Sequence, residues 1–240
     1  MDLRRLRTAR TVASVCILVL FRAPGLTQEH DPAAVIRSVD AAVAARFENI
    51  LGFTDVEHYA VYRGDDQVHP AAEMTVRDTY KKGVGKTYTV MSQSGSSILL
   101  HFGLKPLLDN EQTINQSGNV EKSWFMSANY EMTLKAGGEQ KLNGRDCFAL
   151  DIKPKEEAPN LIIGTMWVDA RDGTLVQIDG VASKNPSAFS GTTHMMRQYT
   201  NIDGYSMAIH ARAESDSALL GRTVVTIDYS NYNLKIKSGK

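Results

Sequence analysis

The sequence predicts a mainly β protein, with one large curved antiparallel sheet or barrel and two helical segments. After residue 52, apolar and polar residues alternate in many short runs, which is the pattern of half-buried strands. Turn-forming pairs such as Asn143-Gly144 and Asp203-Gly204 separate many of these runs. An amphipathic stretch precedes the runs and a second stretch interrupts them, so helices are expected at those two places.

The first helix is predicted to begin at Asp31-Pro32 and to end near Gly52. Aspartate can accept hydrogen bonds from the free N–H groups of the first turn, and proline is tolerated at the first helical position. Apolar residues then recur every three or four positions, at Val35, Val39, Val43, Phe47 and Ile50. This spacing predicts a helix that packs one apolar face against another part of the fold.

About ten or eleven strands are predicted, enough for a strongly curved sheet. The alternation is clear at Tyr130, Met132 and Leu134. Further strands are expected at 54–63, 73–81, 86–93, 97–102, 145–153, 161–168, 174–183, 192–200, 205–213 and 222–230. Residues 104–125 break this rhythm and predict a second helical stretch, with a short turn near Ser117-Gly118.

Residues 26–240 are predicted to form a single domain, because no internal repeat and no Pro- or Ser-rich linker divides them. The last residues, 235–240, are expected to form a frayed tail.

Residues 1–25 are predicted to be a secretory signal, since a basic stretch precedes an apolar run of 11 residues at 11–21. A transmembrane helix needs about 20 residues, so the run is too short to span a bilayer. The small residues Ala23 and Gly25 suit cleavage after Gly25, and an uncleaved short anchor is the alternative.

Charge and cysteine content narrow the possible functions. Without residues 1–25 the net charge is −4, because that segment holds five of the 27 basic residues and one of the 27 acidic ones. Nucleic-acid binding needs a basic surface, so it is not expected.

Cys147 is the single cysteine outside the predicted signal, which excludes an internal disulfide there. Residues 13–15, before Cys16, do not form a lipid-attachment box, so a lipoprotein is not predicted.

Two motifs resemble ligand-binding loops. YKKGVGKT, at residues 80–87, has Tyr80 where a phosphate-binding loop needs glycine, and a strand-like pattern follows it. GTMWVDARDGTLVQIDG, at 164–180, resembles half a calcium loop starting at Asp169. The third ligand position of that loop would be Arg171, a cation. Both motifs therefore predict hairpin turns rather than ligand sites.

No catalytic arrangement is recognisable, because the six histidines are scattered and no Gly-x-Ser-x-Gly turn is present. We expect a protein that is not an enzyme, with no catalytic residues, no metal ligands and no cofactor.

Several strands, such as LIIGTMWV (161–168) and SILLHF (97–102), are apolar on both faces. Methionine, which adapts to irregular cargo, is frequent. The apolar excess indicates either a lipid cavity or a packed core, and the sequence leaves both open.

The sequence also resembles the bacterial outer-membrane lipoprotein-sorting (LolA/LolB-like) family. The resemblance rests on the predicted signal, the first helix, the many strands and the hairpin pattern W-V-D-x-x-x-G-x-L-x-x-I, which starts at Trp167. Residues 199–232 are similar to the family's closing strands. The resemblance implies an unclosed β-barrel whose helices cover an apolar cavity, and a periplasmic carrier that is not catalytic. It also implies an arginine that holds a lid closed, a role assigned to no residue here.

We therefore expect a periplasmic carrier of the acyl chains of lipoproteins or lipids, moving them towards the outer membrane with inner- and outer-membrane exchange partners. Candidate cavity residues are Val43, Phe47, Met132, Phe148, Leu150 and Ile178. One alternative is a cell-envelope scaffold or protein-interaction module without a lipid cavity. A hydrolase whose site is assembled from distant residues is a third possibility.

Overall fold

The protein is described from a computed structural model, which covers residues 30–184, 191–217 and 221–238. The predicted secretory signal, residues 1–25, lies outside the described residues. Within the described ranges, no helix is both long enough and apolar enough to cross a membrane.

Eleven strands form one antiparallel sheet within the described part of the chain. They are β1 (Ile50–Arg63), β2 (Ala72–Lys81), β3 (Gly85–Gly95), β4 (Tyr130–Leu134), β5 (Gln140–Leu142), β6 (Arg145–Pro154), β7 (Ile162–Asp169), β8 (Leu175–Ala182), β9 (Thr193–Ile202), β10 (Tyr205–Ser217) and β11 (Gly221–Ile236). The spatial order is β3-β2-β1-β11-β10-β9-β8-β7-β6-β4, and β5 also pairs with β6. The ends of this order, β3 and β4, do not pair with each other, so the prediction of a single unclosed antiparallel sheet is confirmed.

The strand registers place one row of side chains across the same face of the sheet, because directly paired residues point to the same side. In order from β4 to β2 the row contains Leu134, Leu150, Met166, Ile178, Arg197, Ala211, Ile227, Tyr59 and Met74. All of these positions are apolar except Arg197, which lies near the middle, and Tyr59. This row defines the interior face of the sheet.

Helix α1 (Pro32–Asn49) covers one half of that interior face, as the sequence predicted. The carboxylate of Asp31 accepts a hydrogen bond from the backbone N–H of Ala33 at 3.0 Å, which caps the first turn. Val35, Val39 and Val43 are buried against side chains from β4, β6, β7 and β8.

The second helical region begins earlier than predicted. It contains α2 (Ser97–Leu99), a π-helical segment (Leu100–Leu104), α3 (Lys105–Ile114) and a short 3-10 helix (Val120–Ser123). The strand predicted at 97–102 is wrong, because Leu100, Leu104 and Leu108 recur every four residues and pack on the β2 side. Ser96 caps this region by accepting a hydrogen bond from Leu99 N–H.

Two smaller corrections concern the strands. The three-residue strand β5 was not predicted, since so short a run carries little alternation. The expected frayed tail begins two residues too early, because Lys235 and Ile236 pair with Gly52 and Ile50 in β1.

Residues 164–180 form the β7–β8 hairpin, and Asp169 and Asp172 hold its turn. Asp169 is buried and accepts hydrogen bonds from the backbone N–H and the guanidinium of Arg171, and Arg145 Nε lies 3.2 Å from it. These hydrogen bonds hold the pKa of Asp169 below its usual value. Asp172 accepts hydrogen bonds from the backbone and hydroxyl of Thr174.

This hairpin also fixes α1, because Gly173 lies directly against the helix backbone. Gly173 has a φ of 71°, and a Cβ there would lie 2.5 Å from the carbonyl carbon of Ser38. Gly173→Ala is expected to destabilise the fold by at least about 2 kcal/mol, through positive φ and backbone overlap together. Gly64→Ala is the matched control, since φ is 62° and nothing lies within 4 Å.

The control isolates the cost of positive φ, which is roughly 1 kcal/mol. Chemical unfolding of both variants measures the difference. Equal losses of unfolding free energy would contradict a role for Gly173 in seating α1.

Candidate binding site in the sheet interior

The six predicted cavity residues lie together in one apolar cluster between α1 and the sheet. Val43, Phe148, Leu150 and Ile178 are buried members, and Phe47 and Met132 pack against them. We call this set, with Val35, Val39, Tyr130, Ile152, Leu161, Ile162, Met166, Val168 and Leu175, the first apolar cluster. A lipid-binding role for the six residues stays a prediction.

A cavity of about 350 Å³ opens at the C-terminal end of α1, beside this cluster. Phe47 is the member of the predicted six that lines it, together with Trp124, Tyr80 and Val120. The rings of Phe47 and Trp124 stack with centroids 3.9 Å apart. The indole Nε1–H of Trp124 is buried and has no acceptor among the described residues. The cavity wall therefore combines three aromatic rings with polar and charged side chains, which are Glu48, Lys82, Asn115, Ser117 and Glu121.

Helix α1 is held over the interior by two polar contacts. The carboxylate of Asp40 accepts hydrogen bonds from the backbone N–H of Ser127 at 2.7 Å and from its hydroxyl at 2.5 Å. Arg46 Nε donates to the carbonyl of Ser206 in β10 at 3.0 Å. Burial lowers the pKa of Arg46. These contacts, with the buried valines, are what a ligand would have to displace to lift the helix.

The other half of the interior holds a second apolar cluster, beneath α3. Its buried members are Tyr59, Val61, Ala72, Met74, Val76, Leu104, Leu108, Ala211 and Ile227. A separate groove of about 420 Å³ borders this cluster between β3 and α3, lined in part by Tyr88, Val90 and His101. The two clusters therefore occupy opposite ends of one sheet face.

A group of four carboxylates surrounds Lys86 beside the second cluster, and we call it the acidic group. It consists of Asp55 and Glu57 on β1, Asp78 on β2 and Glu111 on α3. Lys86 Nζ lies 2.6 Å from Glu57 Oε1, 2.7 Å from Asp78 Oδ2 and 2.8 Å from Glu111 Oε2. The hydroxyl of Tyr59 donates to Glu57 Oε2.

Burial and mutual repulsion shift the pKa values of this group. Burial raises the pKa of Asp55 to about 7, with Glu57 adding to the effect. Burial also raises the pKa of Glu57 to about 8 and that of Asp78 above its usual value. For Glu111, Lys86 outweighs burial and lowers the pKa. Burial alone would lower the pKa of Lys86, but the carboxylates outweigh it and raise that pKa well above its usual value.

The acidic group was missed in the sequence, although a signal was present. In β1 every second residue from Asp55 to Val61 is buried, namely Asp55, Glu57, Tyr59 and Val61, so two acids share the apolar face. The third acid comes from β2, and Lys86 lies at the start of β3, where residues 80–87 form the β2–β3 hairpin as predicted. No contiguous spacing links these residues, because the sheet brings them together.

Comparison with known proteins finds solved structures that are similar to the chain. The chain is similar to a LolA superfamily protein from Nitrosomonas europaea, at 12% identity and a TM-score of 0.46, over 87% of this chain and 96% of that one. It is also similar to a DUF1329 family protein from Desulfovibrio piger, at 17% identity and a TM-score of 0.43, over 88% and 96%.

A third similar structure, from Vibrio parahaemolyticus, is a domain named for outer membrane lipoprotein sorting. It has 13% identity and a TM-score of 0.47, over 87% of this chain and 94% of that one. No protein-family model and no curated protein matches the sequence. The predicted resemblance to the lipoprotein-sorting family is confirmed among these structural neighbours. It concerns the fold alone.

The acidic group predicts that stability falls as the pH rises. The folded-state pKa of Asp55 lies above its unfolded value of 3.8, so the folded protein binds more protons between the two values. Protonated Asp55 therefore contributes about 4 kcal/mol to the free energy of unfolding below pH 4. This contribution is lost as the pH rises past 7. We expect the unfolding midpoint to fall between pH 5.5 and 8.5, measured by thermal unfolding at fixed ionic strength without divalent cations.

Asp55→Asn provides the control, because an amide cannot ionise. Its unfolding midpoint should depend less on pH over the same range. A wild-type midpoint that rises or stays constant from pH 5.5 to 8.5 would contradict this assignment.

Removal of Lys86 is expected to be strongly destabilising at neutral pH. Lys86→Met would leave three contacting carboxylates without their cation, and breaking a buried ion pair in this way costs about 3–5 kcal/mol. Lys105→Met is the matched control, since its pair with Asp109 is half-exposed and worth about 1 kcal/mol or less. Urea unfolding of both variants measures the contrast, and similar losses would show that the acidic group does not depend on Lys86.

Proposed function

We propose that the protein is a non-catalytic carrier that binds acyl chains of lipoproteins or lipids in the interior of its unclosed sheet. The observation that carries the proposal is the position of α1, whose apolar stripe covers the first apolar cluster on the interior face. Lifting or shifting this helix would uncover an apolar trough without breaking any strand pairing. A hydrocarbon chain could replace the helix side chains at little cost in apolar burial.

The cavity beside Phe47 supports the same proposal. At about 350 Å³ it lies within the usual size range of ligand sites, roughly 300–1,000 Å³, and its wall combines aromatic rings with polar side chains. The free indole N–H of Trp124 offers a donor to a carboxylate, ester or amide oxygen. An amphiphile with one polar oxygen group and an apolar chain fits these features.

The predicted export signal favours work in the periplasm, with transfer towards the outer membrane as the role. A carrier of this kind needs a donor and an acceptor, so inner- and outer-membrane exchange partners belong to the proposal. Neither binding nor transfer requires a cofactor.

A second candidate function, protein binding at the sheet edge, is favoured by β3. This eleven-residue edge strand leaves its outer backbone groups unpaired along the sheet, and Val90 and Met91 on it are exposed. Ile98 and Phe102 are also exposed nearby. A partner strand could add to such an edge. In that case the protein would be an envelope interaction module.

Titration of the purified protein with a fluorescent fatty acid tests the carrier proposal. We expect saturable binding, and Phe47→Ala should weaken it about tenfold, or by about 1.4 kcal/mol, because the stacked ring beside Trp124 is lost. Glu48→Ala is the matched control, since this neighbour lines the same cavity but contributes a charged side chain. Circular dichroism checks that both variants fold.

Absence of saturable binding would rule out the carrier proposal. A stoichiometric protein partner recovered from envelope extracts without lipid, and lost after substitution of Val90 and Met91 by lysine, would favour the edge-binding function instead.

A further inference from the structure

We propose that Asp55, Glu57 and Asp78 form a binding site for a hard divalent cation of the calcium class in the interior of the sheet. One oxygen from each carboxylate lies within 4.8 Å of the others. This is the largest separation allowed between ligands that are each about 2.4 Å from a central ion, a distance typical of Ca²⁺–oxygen bonds. The site is independent of the carrier proposal, since neither apolar cavity includes these three side chains.

The first argument is that Asp55 has no partner. This residue is 2% exposed, and neither of its carboxylate oxygens has a hydrogen-bond donor. A lysine ammonium offers three donors, and Lys86 Nζ already contacts Glu57, Asp78 and Glu111. No donor is left for Asp55, so its side chain is a buried acceptor directed into an acidic site.

The second argument is charge. The acidic group holds four carboxylates, and Lys86 is the single cation in contact with it among the described residues. If Lys86 pairs with Glu111 alone, Asp55, Glu57 and Asp78 have no other cation within ion-pair distance among the described residues. Uncompensated buried charge is costly, and a divalent cation offsets most of it.

The third argument is the chemistry of the donors. All three groups are carboxylates, and no histidine or cysteine belongs to the cluster. Oxygen ligands favour Ca²⁺, Mg²⁺ or Mn²⁺ over softer metals. Calcium tolerates irregular coordination, whereas magnesium needs nearly ideal octahedral geometry, so ligands fixed by a β-sheet register favour calcium.

Lys86 does not prevent this binding, because its ammonium can pair with Glu111 alone. Its Nζ is already 2.8 Å from Glu111 Oε2, at the outer side of the acidic group. The side chain of Glu111 is 18% exposed, against 1% for Glu57 and for Asp78. A small movement of the ammonium towards Glu111 would leave Glu57 and Asp78 free for the ion. The same partly exposed side gives the ion its route in.

Calorimetric titration of the chelator-treated full chain with CaCl₂ at pH 8 tests the site, with MgCl₂ and MnCl₂ in parallel. We expect one calcium ion per chain and a thermal unfolding midpoint that rises with calcium until the site is saturated. Asp55→Asn should weaken calcium binding at least tenfold. Without calcium its midpoint should be no lower than that of the wild type, since it removes a buried charge.

Two further variants make the result decisive. Glu73→Gln removes a carboxylate from the same strand as Asp78, but one paired with His58 outside the acidic group, and it should keep full calcium binding. Asp78→Asn repeats the expected loss if Asp55→Asn does not fold. The proposal is overturned if calcium gives no saturable heat at millimolar concentration. It is also overturned if Asp55→Asn and Asp78→Asn bind calcium like the wild type.

Discussion

The pairing of β1 with β11 is the contact on which the rest of the structure depends. It joins the first sheet strand in the chain to the last, with a register that runs from Ile50–Ile236 to Arg63–Thr223. Without it, β1–β3 would be separated from the strands β4–β11. Because paired residues share a face, this register also places Tyr59 beside Ile227. The interior row is continuous only because these two distant segments meet.

The interior face is divided by chemistry into two halves. Under α1, side chains from β4 and β6–β8 form the first apolar cluster, which is the proposed site for an acyl chain. Under α3, apolar side chains surround an acidic group centred on Lys86. Arg197, on the middle strand β9, lies between them. A carrier that needed only to hold hydrocarbon would have no use for the second half, where buried charges cost free energy.

This cost has a physical interpretation. A folded protein can keep a buried carboxylate that has no protein partner when a proton or a cation binds it. Proton binding makes stability depend on pH, and cation binding makes it depend on the ion. The two are linked, because each ligand competes for the same oxygens. The apolar and acidic halves can therefore respond to different ligands while sharing one sheet.

Much of the fold follows from local patterns. The period of four over Val35, Val39 and Val43 determined α1, and alternation determined most strands, since burial of one face acts on each segment separately. The hairpin at 164–180 was likewise predictable, because Asp169 and Gly173 act within the turn. Residues 97–102 were misassigned, since an apolar run too short to show its period fits a strand as well as a helix.

The acidic group could not be predicted in the same way. Asp55, Asp78, Lys86 and Glu111 lie on three strands and a helix, and ordinary spacing rules do not connect them. Their meeting depends on the β1–β2 register, which pairs Asp55 with Asp78, and on the packing of α3. The sequence by itself determined the strands, the covering helix and the apolar surface. Only the tertiary structure decided which charges are buried together, because electrostatic interactions depend on distance in space rather than on separation along the chain.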